Sequence, residues 1–295
     1  MTQPERDPKH SFVSRCEEAY NLVQGFLNDT LPWGPVPQRR KGYHYDDKAR
    51  EIVKEKVLLS MQKLNSAIEN HGIEEIAISY NGGKDCLVML IILLATIHEK
   101  FSTHSKDSPY HSLPSDYKLD SIYINSEIPF PELSEFIETS TAYYHLNPII
   151  IKASLKEGFQ YYLNEINRTV RSIVVGIRHD DPYGSTLKYE VPTDHDWPKF
   201  LRIHPILHWN YVDIWDFLVG CNLDYCEMYN RGYTSLGGIK NTLPNPFLKQ
   251  DNGDYLPAYM LTENADEKER LGRNKSLSVA IEEKTINVNS TEEKR

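Results

Sequence analysis

The stretch Ile76-Ala77-Ile78-Ser79-Tyr80-Asn81-Gly82-Gly83-Lys84-Asp85-Cys86-Leu87-Val88-Met89-Leu90-Ile91-Ile92-Leu93-Leu94-Ala95 decides the fold. A short β-branched run, a polar turn with two glycines and a segment apolar on nearly every side read as buried strand, turn and buried helix. Without a Cβ, Gly82 and Gly83 let backbone N–H groups come close to a ligand. The helix behind them aims its unsatisfied N–H groups and positive dipole end at the same point, which suits an anion such as phosphate. Asp85 stands at or near the helix N-cap and Asn81 is placed to reach ligand or metal. Lys84 either approaches phosphate or stays solvated. The Walker pattern and Gly-x-Gly-x-x-Gly are both absent, so the glycine pair alone is equally a tight strand–helix turn.

Outward from this unit the pattern repeats. Strands are expected at Ile76–Tyr80, Ser121–Ile124, Ile149–Lys152 and Ile173–Gly176, with helices at Asp85–Lys100, Pro131–Tyr144 and Leu155–Asn167 between them. Three such βα units imply a parallel sheet with right-handed crossovers and helices on both faces. Two earlier helices, Ser11–Leu27 and about Asp46–Asn70, flank a Pro-rich connector carrying Arg39, Arg40 and Lys41, a basic triplet expected on a solvated loop. Gly72 is placed to end the second helix. After Asp180 the chain becomes irregular. Phe200–Pro205 reads as a further strand, Asn210-Tyr211-Val212-Asp213 as a capping box opening a helix through Val219, and Glu263–Leu271 as a short helix.

Polar clusters fall after successive strands, where open α/β sheets bind ligands. They are Asn81 to Asp85, Asn125 to Pro131 and Gly176 to Pro182. Arg178 and Asp181 stand where an arginine clamps phosphate and a carboxylate holds Mg²⁺, or where the two form a salt bridge with each other. The stretch Asp194-His195-Asp196-Trp197-Pro198-Lys199-Phe200-Leu201-Arg202 puts an indole among ionic groups in a loop expected at the same end, suited to stacking on a flat, electron-poor ring. Neither a catalytic triad nor a zinc site is suggested by spacing.

Composition bounds the rest. The 295 residues suffice for a sizeable core, and 19 tyrosines accompany an ordinary apolar content. A net charge of −9 argues against general nucleic-acid or membrane-surface binding. The four cysteines, Cys16, Cys86, Cys221 and Cys226, fit no disulfide framework, so a reducing, cytoplasmic setting is expected. The longest apolar run, Cys86 to Ile97, is short of the roughly 20 residues of a membrane span.

Five stretches in order resemble the FMN adenylyltransferase (FAD synthase) family of eukaryotic type, itself similar to the PAPS reductase branch of the adenine-nucleotide α-hydrolase fold. They are Ser79 to Cys86, Gly176 to Pro182, Trp197-Pro198 with Arg202 to Trp209, Tyr233 to Gly238, and Glu269-Arg270-Leu271-Gly272-Arg273. The resemblance implies a Rossmann-like α/β fold: a central, mostly parallel sheet with an irregular C-terminal flavin-binding portion. The implied organisation is a helix and connector over 1–45, one nucleotidyltransferase domain over 46–273 and a disordered tail over 274–295. The implied activity is transfer of AMP from ATP to the phosphate of FMN, giving FAD and pyrophosphate, the last step of FAD biosynthesis from riboflavin. ATP and FMN are the expected partners, with Mg²⁺ as cofactor and the chain a monomer without nucleic acid or membrane.

By the same resemblance, Asn81 and Asp85 serve ATP phosphates and Mg²⁺, and Ser79, Ile124 and Gly176 border adenosine, with Gly82, Gly83, Lys84 and Arg178 on the nucleotide. Asp181 and Asp194 are essential carboxylates. Trp197, with His195 and Asp196 beside it, lies by the isoalloxazine, and Arg202, Arg270 and Arg273 lie near phosphate or flavin. The arginine segment follows every βα unit and is not needed to complete the sheet, so a chain ending at Met260 is expected to fold but not to turn over. Gly272 is expected to let the backbone turn there. Two other readings are a PAPS reductase-like enzyme, which needs a thiolate after Cys226 that this sequence does not show, and a nucleotide-binding module without turnover.

Overall fold

The computed structural model describes residues 11–102, 113–114 and 116–273. The segments 1–10 and 274–295, including the tail expected to be disordered, lie outside these, as does most of the expected loop from Phe101 to Tyr117.

The deciding stretch forms β1 (Ile76–Ser79) and α3 (Lys84–Ser102). Around β1 lies a six-stranded sheet of order β3-β2-β1-β4-β6-β5. β2 (Asp120–Ile124), β3 (Asn147–Ile151), β4 (Ser172–Val174) and β6 (Leu201–Ile203) run parallel to it, and β5 (Glu190–Pro192) pairs antiparallel with β6 at the edge. The chain winds outward from β1 to β3, then returns to β4 on the other side of β1. A cleft therefore opens beyond the carboxyl ends of β1 and β4, the switch point where such sheets take their ligands.

Both faces are covered, unequally. Side chains alternate along a strand, so Ile76 and Ile78 enter the larger core with α3 while Ala77 faces a smaller one with Phe159 and Tyr162. Every residue of α3 from Cys86 to Ile97 is buried, which explains its unbroken apolar sequence. It packs against α1 (Phe12–Leu27), α2 (Asp47–His71) and α6 (Tyr211–Gly220). Each Leu, Ile or Val so enclosed contributes about 1.5–3 kcal/mol. The second face relies on α5 (Leu155–Tyr161), with the rings of Phe159 and Phe200 5.1 Å apart.

Helix ends follow the expected chemistry. Ser11 caps α1, Asp46 caps α2, Gly72 at φ 78° ends α2, and Asn210 with Asp213 closes a capping box on α6. α4 (Pro131–Tyr143) begins with proline at its first position. Two expectations shift and one strand is new. α5 stops at Tyr161 and continues as a π-turn over Tyr162–Ile166, where the Tyr162 hydroxyl donates to Asp120 at 2.5 Å. β4 ends at Val174, so Gly176 has already left the sheet. β5 had no sequence signal, since three residues ending in proline show no alternation and suit only an edge.

The basic triplet is not a solvated loop throughout. Arg40 is buried with its guanidinium 4.2 Å above the Tyr225 ring, donating to the Tyr225 hydroxyl at 2.8 Å, and Arg39 pairs with Asp224. Arg39 and Lys41 are exposed as expected. Trp33 donates to the Gly220 carbonyl at 2.8 Å, so the connector is strapped to the end of α6. Among the described residues, no helix is long and apolar enough to cross a membrane.

Candidate active site

The cleft holds a cavity of about 530 Å³ lined from the loops after β1, β2, β3 and β4, from Ser235 to Gly237 and from the C-terminal segment. The loop after β1 contributes Asn81, Gly83, Lys84 and Asp85, that after β2 contributes Asn125 to Glu127, and that after β4 contributes Gly176, Ile177 and Asp181. Arg270 and Arg273 close the far side, and Ile124 lies on the wall. The sequence clusters at the carboxyl rim thus converge on one space.

The loop after β1 is held by its own side chain. Asn81 Oδ1 accepts the Gly83 N–H at 2.9 Å, and Lys84 N–H donates to the Tyr229 hydroxyl at 3.0 Å. Gly82 adopts φ 69°, and a Cβ there would lie 2.6 Å from Ile137 of α4. Gly82 therefore shapes the turn against α4 and does not line the cavity. Gly176 passes so close to α3 that a Cβ would meet Cys86 Sγ at 3.2 Å.

Lys84 departs from both roles offered by the sequence. It is 1% exposed and donates to Asp85 at 2.8 Å and to Glu269, so its ammonium is neither solvated nor free for phosphate. Arg178, also 1% exposed, does not line the cavity and is not an available phosphate clamp. Its guanidinium meets Glu269, Asp266 at 3.1 Å and Asp85 at 2.9 Å, with Asp181 farther off at 3.8 Å. The expected Arg178–Asp181 bridge is thus the longest of four contacts. Burial alone would raise the Asp85 pKa, but Arg178 and then Lys84 hold it below the ordinary carboxylate value.

Two carboxylate oxygens accept no hydrogen bond. The Arg178 Nε–Asp85 Oδ1 contact lacks hydrogen-bond geometry, leaving Asp85 Oδ1 buried without a hydrogen bond. Asp181 Oδ2 accepts the Arg178 backbone N–H at 2.9 Å, while its Oδ1 is 3.8 Å from the nearest guanidinium nitrogens of Arg178 and Arg270.

Of the two C-terminal arginines, Arg270 is 42% exposed in its side chain, whose guanidinium makes no hydrogen bond among the described residues and has Asp181 as its ion-pair partner at 3.8 Å. Arg273 donates to the Leu236 carbonyl at 2.6 Å; burial, then the neighbouring Arg270 charge, lowers its pKa. They sit on and after a 3₁₀ turn, Glu269–Gly272, which follows α7 (Ala265–Lys268). The backbone turns at Gly272 as expected, without entering the left-handed region. Glycine is required because a Cβ there would run into the Leu243 carbonyl, to whose residue it is also bonded (Leu243 N–H to Gly272 O, 2.8 Å). The turn also supplies Glu269, and α7 supplies Asp266, to the carboxylates around Arg178.

The remaining sequence candidates lie elsewhere. Ser79 closes β1 beneath the loop and does not line the cavity. Asp194, His195, Asp196 and Trp197 occupy the β5–β6 hairpin, all exposed and outside the cavity, with Arg202 on β6 itself. Leu201 lies beside Ser172 in the parallel pair, so this hairpin joins the sheet at the amino ends of the strands and not at the carboxyl rim. It leans toward the site along α5: Asp196 Oδ2 is 4.0 Å from Lys156, whose neighbour Leu155 lines the cavity.

Sequence reasoning missed Glu127 and Glu269. Glu127 accepts from the Gly238 N–H and Asn241 Nδ2, both at 2.6 Å, and so fastens the 237–241 loop over the cavity. Its cluster after β2 had been marked as a whole. Glu269 had no signal beyond standing next to Arg270.

Residues 75–244 match the phosphoadenosine phosphosulfate reductase domain. A probable FAD synthase of Schizosaccharomyces pombe is 39% identical over 220 residues, 74% of this chain and 79% of that protein. A probable FAD synthase of Caenorhabditis elegans is 36% identical over 70% of this chain, which spans only 40% of the nematode protein. The structure of Candida glabrata FMN adenylyltransferase in complex with FAD and inorganic pyrophosphate superposes with a TM-score of 0.76 at 28% identity, covering 89% of this chain and 99% of that one. Together with the cavity at the switch point, these matches make the chain a member of the FAD synthase family, built on the phosphoadenosine phosphosulfate reductase domain.

Proposed function

We infer that this chain is an FMN adenylyltransferase: it transfers AMP from ATP to the phosphate of FMN, releasing FAD and pyrophosphate. The observation that carries this reading is the pairing of Asp85 and Asp181 with Arg270 and Arg273 across one cavity, in a chain related to FAD synthases. Structures of the Candida glabrata enzyme in complex with FMN and the ATP analogue AMPCPP, at a TM-score of 0.75, support both substrates.

The reaction asks little acid–base chemistry of the protein. A phosphate monoester has its second pKa near about 6, so the FMN phosphate is ionised at neutral pH. One of its oxygens attacks the α-phosphorus of ATP in line, the bond to the bridging oxygen breaks, and pyrophosphate carries the electron pair away. No general base is required, and among the described residues no histidine lines the cavity. Catalysis rests on alignment and on neutralising charge. In this reading Asn81 and Gly83 hold the phosphate turn, Arg270 and Arg273 take phosphate oxygens bidentately, and Ile124 and Gly176 border the adenosine.

Mg²⁺ fits the donors present. Asp85 Oδ1 accepts no hydrogen bond, although Arg178 Nε lies 2.9 Å from it, and Asp181 Oδ1 has only distant partners, a hard oxygen set of the kind that shares the ion with substrate phosphates. Asp85 and Asp181 would hold it, with Asn81 near; its carbonyl oxygen is already engaged by Gly83. When bound, the ion neutralises charge on the triphosphate. The hairpin Asp194 to Trp197 and Arg202 is the proposed seat of the isoalloxazine, with Trp197, 37% exposed, as its stacking surface. We place the activity in the cytoplasm on the strength of four free cysteines.

The reductase alternative needs a thiolate. Cys86 is the one cavity-lining cysteine, and burial pushes its pKa up to about 12, the wrong direction for a nucleophile at neutral pH. The experiment is incubation with ATP, Mg²⁺ and FMN, with FAD and pyrophosphate measured together. Equal yields dependent on FMN are expected; ATP binding without either product would overturn the reading in favour of a module without turnover.

A further inference from the structure

Four ionic side chains beneath the cavity close into a ring. Lys84 donates to Asp85 Oδ2 at 2.8 Å and to Glu269 Oε1, while Arg178 lies against Asp85 Oδ1 at 2.9 Å and donates to Glu269 Oε2. Each cation bridges the same two carboxylates. Both carboxylates line the cavity, but unequally: the Asp85 side chain is 20% exposed and that of Glu269 only 5%.

Glu269 is itself fixed from outside the ring. Its carbonyl accepts from the Thr234 hydroxyl at 2.6 Å, and Asn245 Nδ2 donates to both that hydroxyl, at 2.9 Å, and the Lys268 carbonyl, at 2.8 Å. Because Glu269 and Asp266 hold the two terminal nitrogens of Arg178, the guanidinium cannot swing to bond Asp85 Oδ1 squarely. That oxygen consequently stays buried with no hydrogen bond. The residue after Glu269 is Arg270, so one carboxylate ties the arginine turn to the phosphate loop.

We propose that Glu269 is a positioning residue for adenylyl transfer: by occupying Lys84 and Arg178 it keeps Asp85 Oδ1 from being taken up in a hydrogen bond beside the cavity and sets Arg270 in register with the phosphate loop. Glu269 touches no reacting atom and acts through its neighbours. The inference rests on the adenylyltransferase reading above.

The test is Glu269→Gln in the full chain. The amide keeps the shape but removes the charge, so both cations turn onto Asp85 and the local potential becomes more positive. Turnover of FMN to FAD should fall by roughly 30-fold or more, as for loss of an electrostatic contact in the transition state. Binding of ATP in excess EDTA, read by calorimetry without turnover, should instead tighten by about 3- to 10-fold, because one anion fewer faces the phosphates. Slower chemistry with tighter metal-free ATP binding is a combination that simple loss of folded protein does not give. Turnover within about threefold of wild type, or ATP binding weakened in step with turnover, overturns the proposal.

If Glu269→Gln does not fold, the double variant Lys84→Met/Glu269→Gln removes one charge of each sign and restores balance. It should bind ATP yet remain at least about tenfold slower than wild type, since the ring is open. Wild-type turnover in that variant sinks the idea. A wild-type chain that makes no FAD would refute the adenylyltransferase reading instead.

Discussion

The loop from Asn81 to Asp85 and the turn from Glu269 to Arg273 meet at the same cavity by different means. The first is built locally: β1 delivers it, α3 continues from it, and Asn81 bonds within its own turn. The second has almost no regular structure, only one turn of α7 and a 3₁₀ turn. It is held instead by polar contacts over long sequence distances, from Thr234, Asn245, Arg178 and Lys84. Local propensity suffices where an apolar helix anchors a loop. Where it does not, buried ion pairs set position, and such pairs are costly to break singly.

Ending the chain at Met260 should give the largest effect. It removes Asp266 and Glu269, leaving Lys84 and Arg178 buried with fewer counter-charges. Loss of one partner of a buried pair costs about 3–5 kcal/mol. FAD formation should vanish and the thermal midpoint should drop clearly, so the earlier expectation of a stable truncated fold is revised. A chain ending at Asn274 keeps every contact described and should stay active. An unchanged midpoint at Met260 would mean that the strap does not support the core.

Separating chemistry from stability sharpens the contrast. Asp181→Ala should lower turnover by about 10²–10³ while moving the thermal midpoint little, since Asp181 lies outside the Lys84–Glu269 ring. Asp85→Ala should lower both, because buried Lys84 and Arg178 lose their shared carboxylate. Equal stability losses in the two variants would remove the distinction. Arg270→Lys keeps the charge but loses the planar fork, and a fall in turnover of about tenfold is expected without change in unfolding.

Gly272→Ala and Gly72→Ala compare the two ways a glycine is needed. A Cβ at Gly272 runs into the Leu243 carbonyl, whereas at Gly72 the cost is the left-handed backbone alone, with nothing within 4 Å. Denaturant unfolding should show the Gly72 variant losing about 1 kcal/mol and the Gly272 variant more, together with activity, through displacement of Arg273. The smallest effect should be one of pH. Burial lowers the His208 pKa to about 4, so His208 is neutral in the folded chain over a range where the unfolded chain protonates it. Its contribution to stability is complete above the unfolded value of about 6.5 and declines as pH falls toward the folded value. His208→Gln should flatten the stability curve between those values; an unaltered slope would point to other groups.

The sequence by itself determined the strand–turn–helix unit, the parallel α/β architecture, most helix caps and the convergence of the rim clusters. Each is written in residues close along the chain: an apolar run from Cys86 to Ile97, Gly72 after the second helix, Asn210 three residues before Asp213. Asn81, Asp85 and Asp181 were legible because polar residues after strands stand out locally, and Arg270 and Arg273 through the family resemblance. Tertiary structure alone decided the rest. Whether Lys84 and Arg178 meet phosphate or carboxylate depends on Glu269, separated by 185 and 91 positions. Likewise Arg40 is buried because Tyr225 lies against it, and the Trp197 hairpin leaves the carboxyl rim because β6 runs parallel to β4. Burial and pairing of a charge belong to the space around it, and that space is filled by residues with no proximity in sequence.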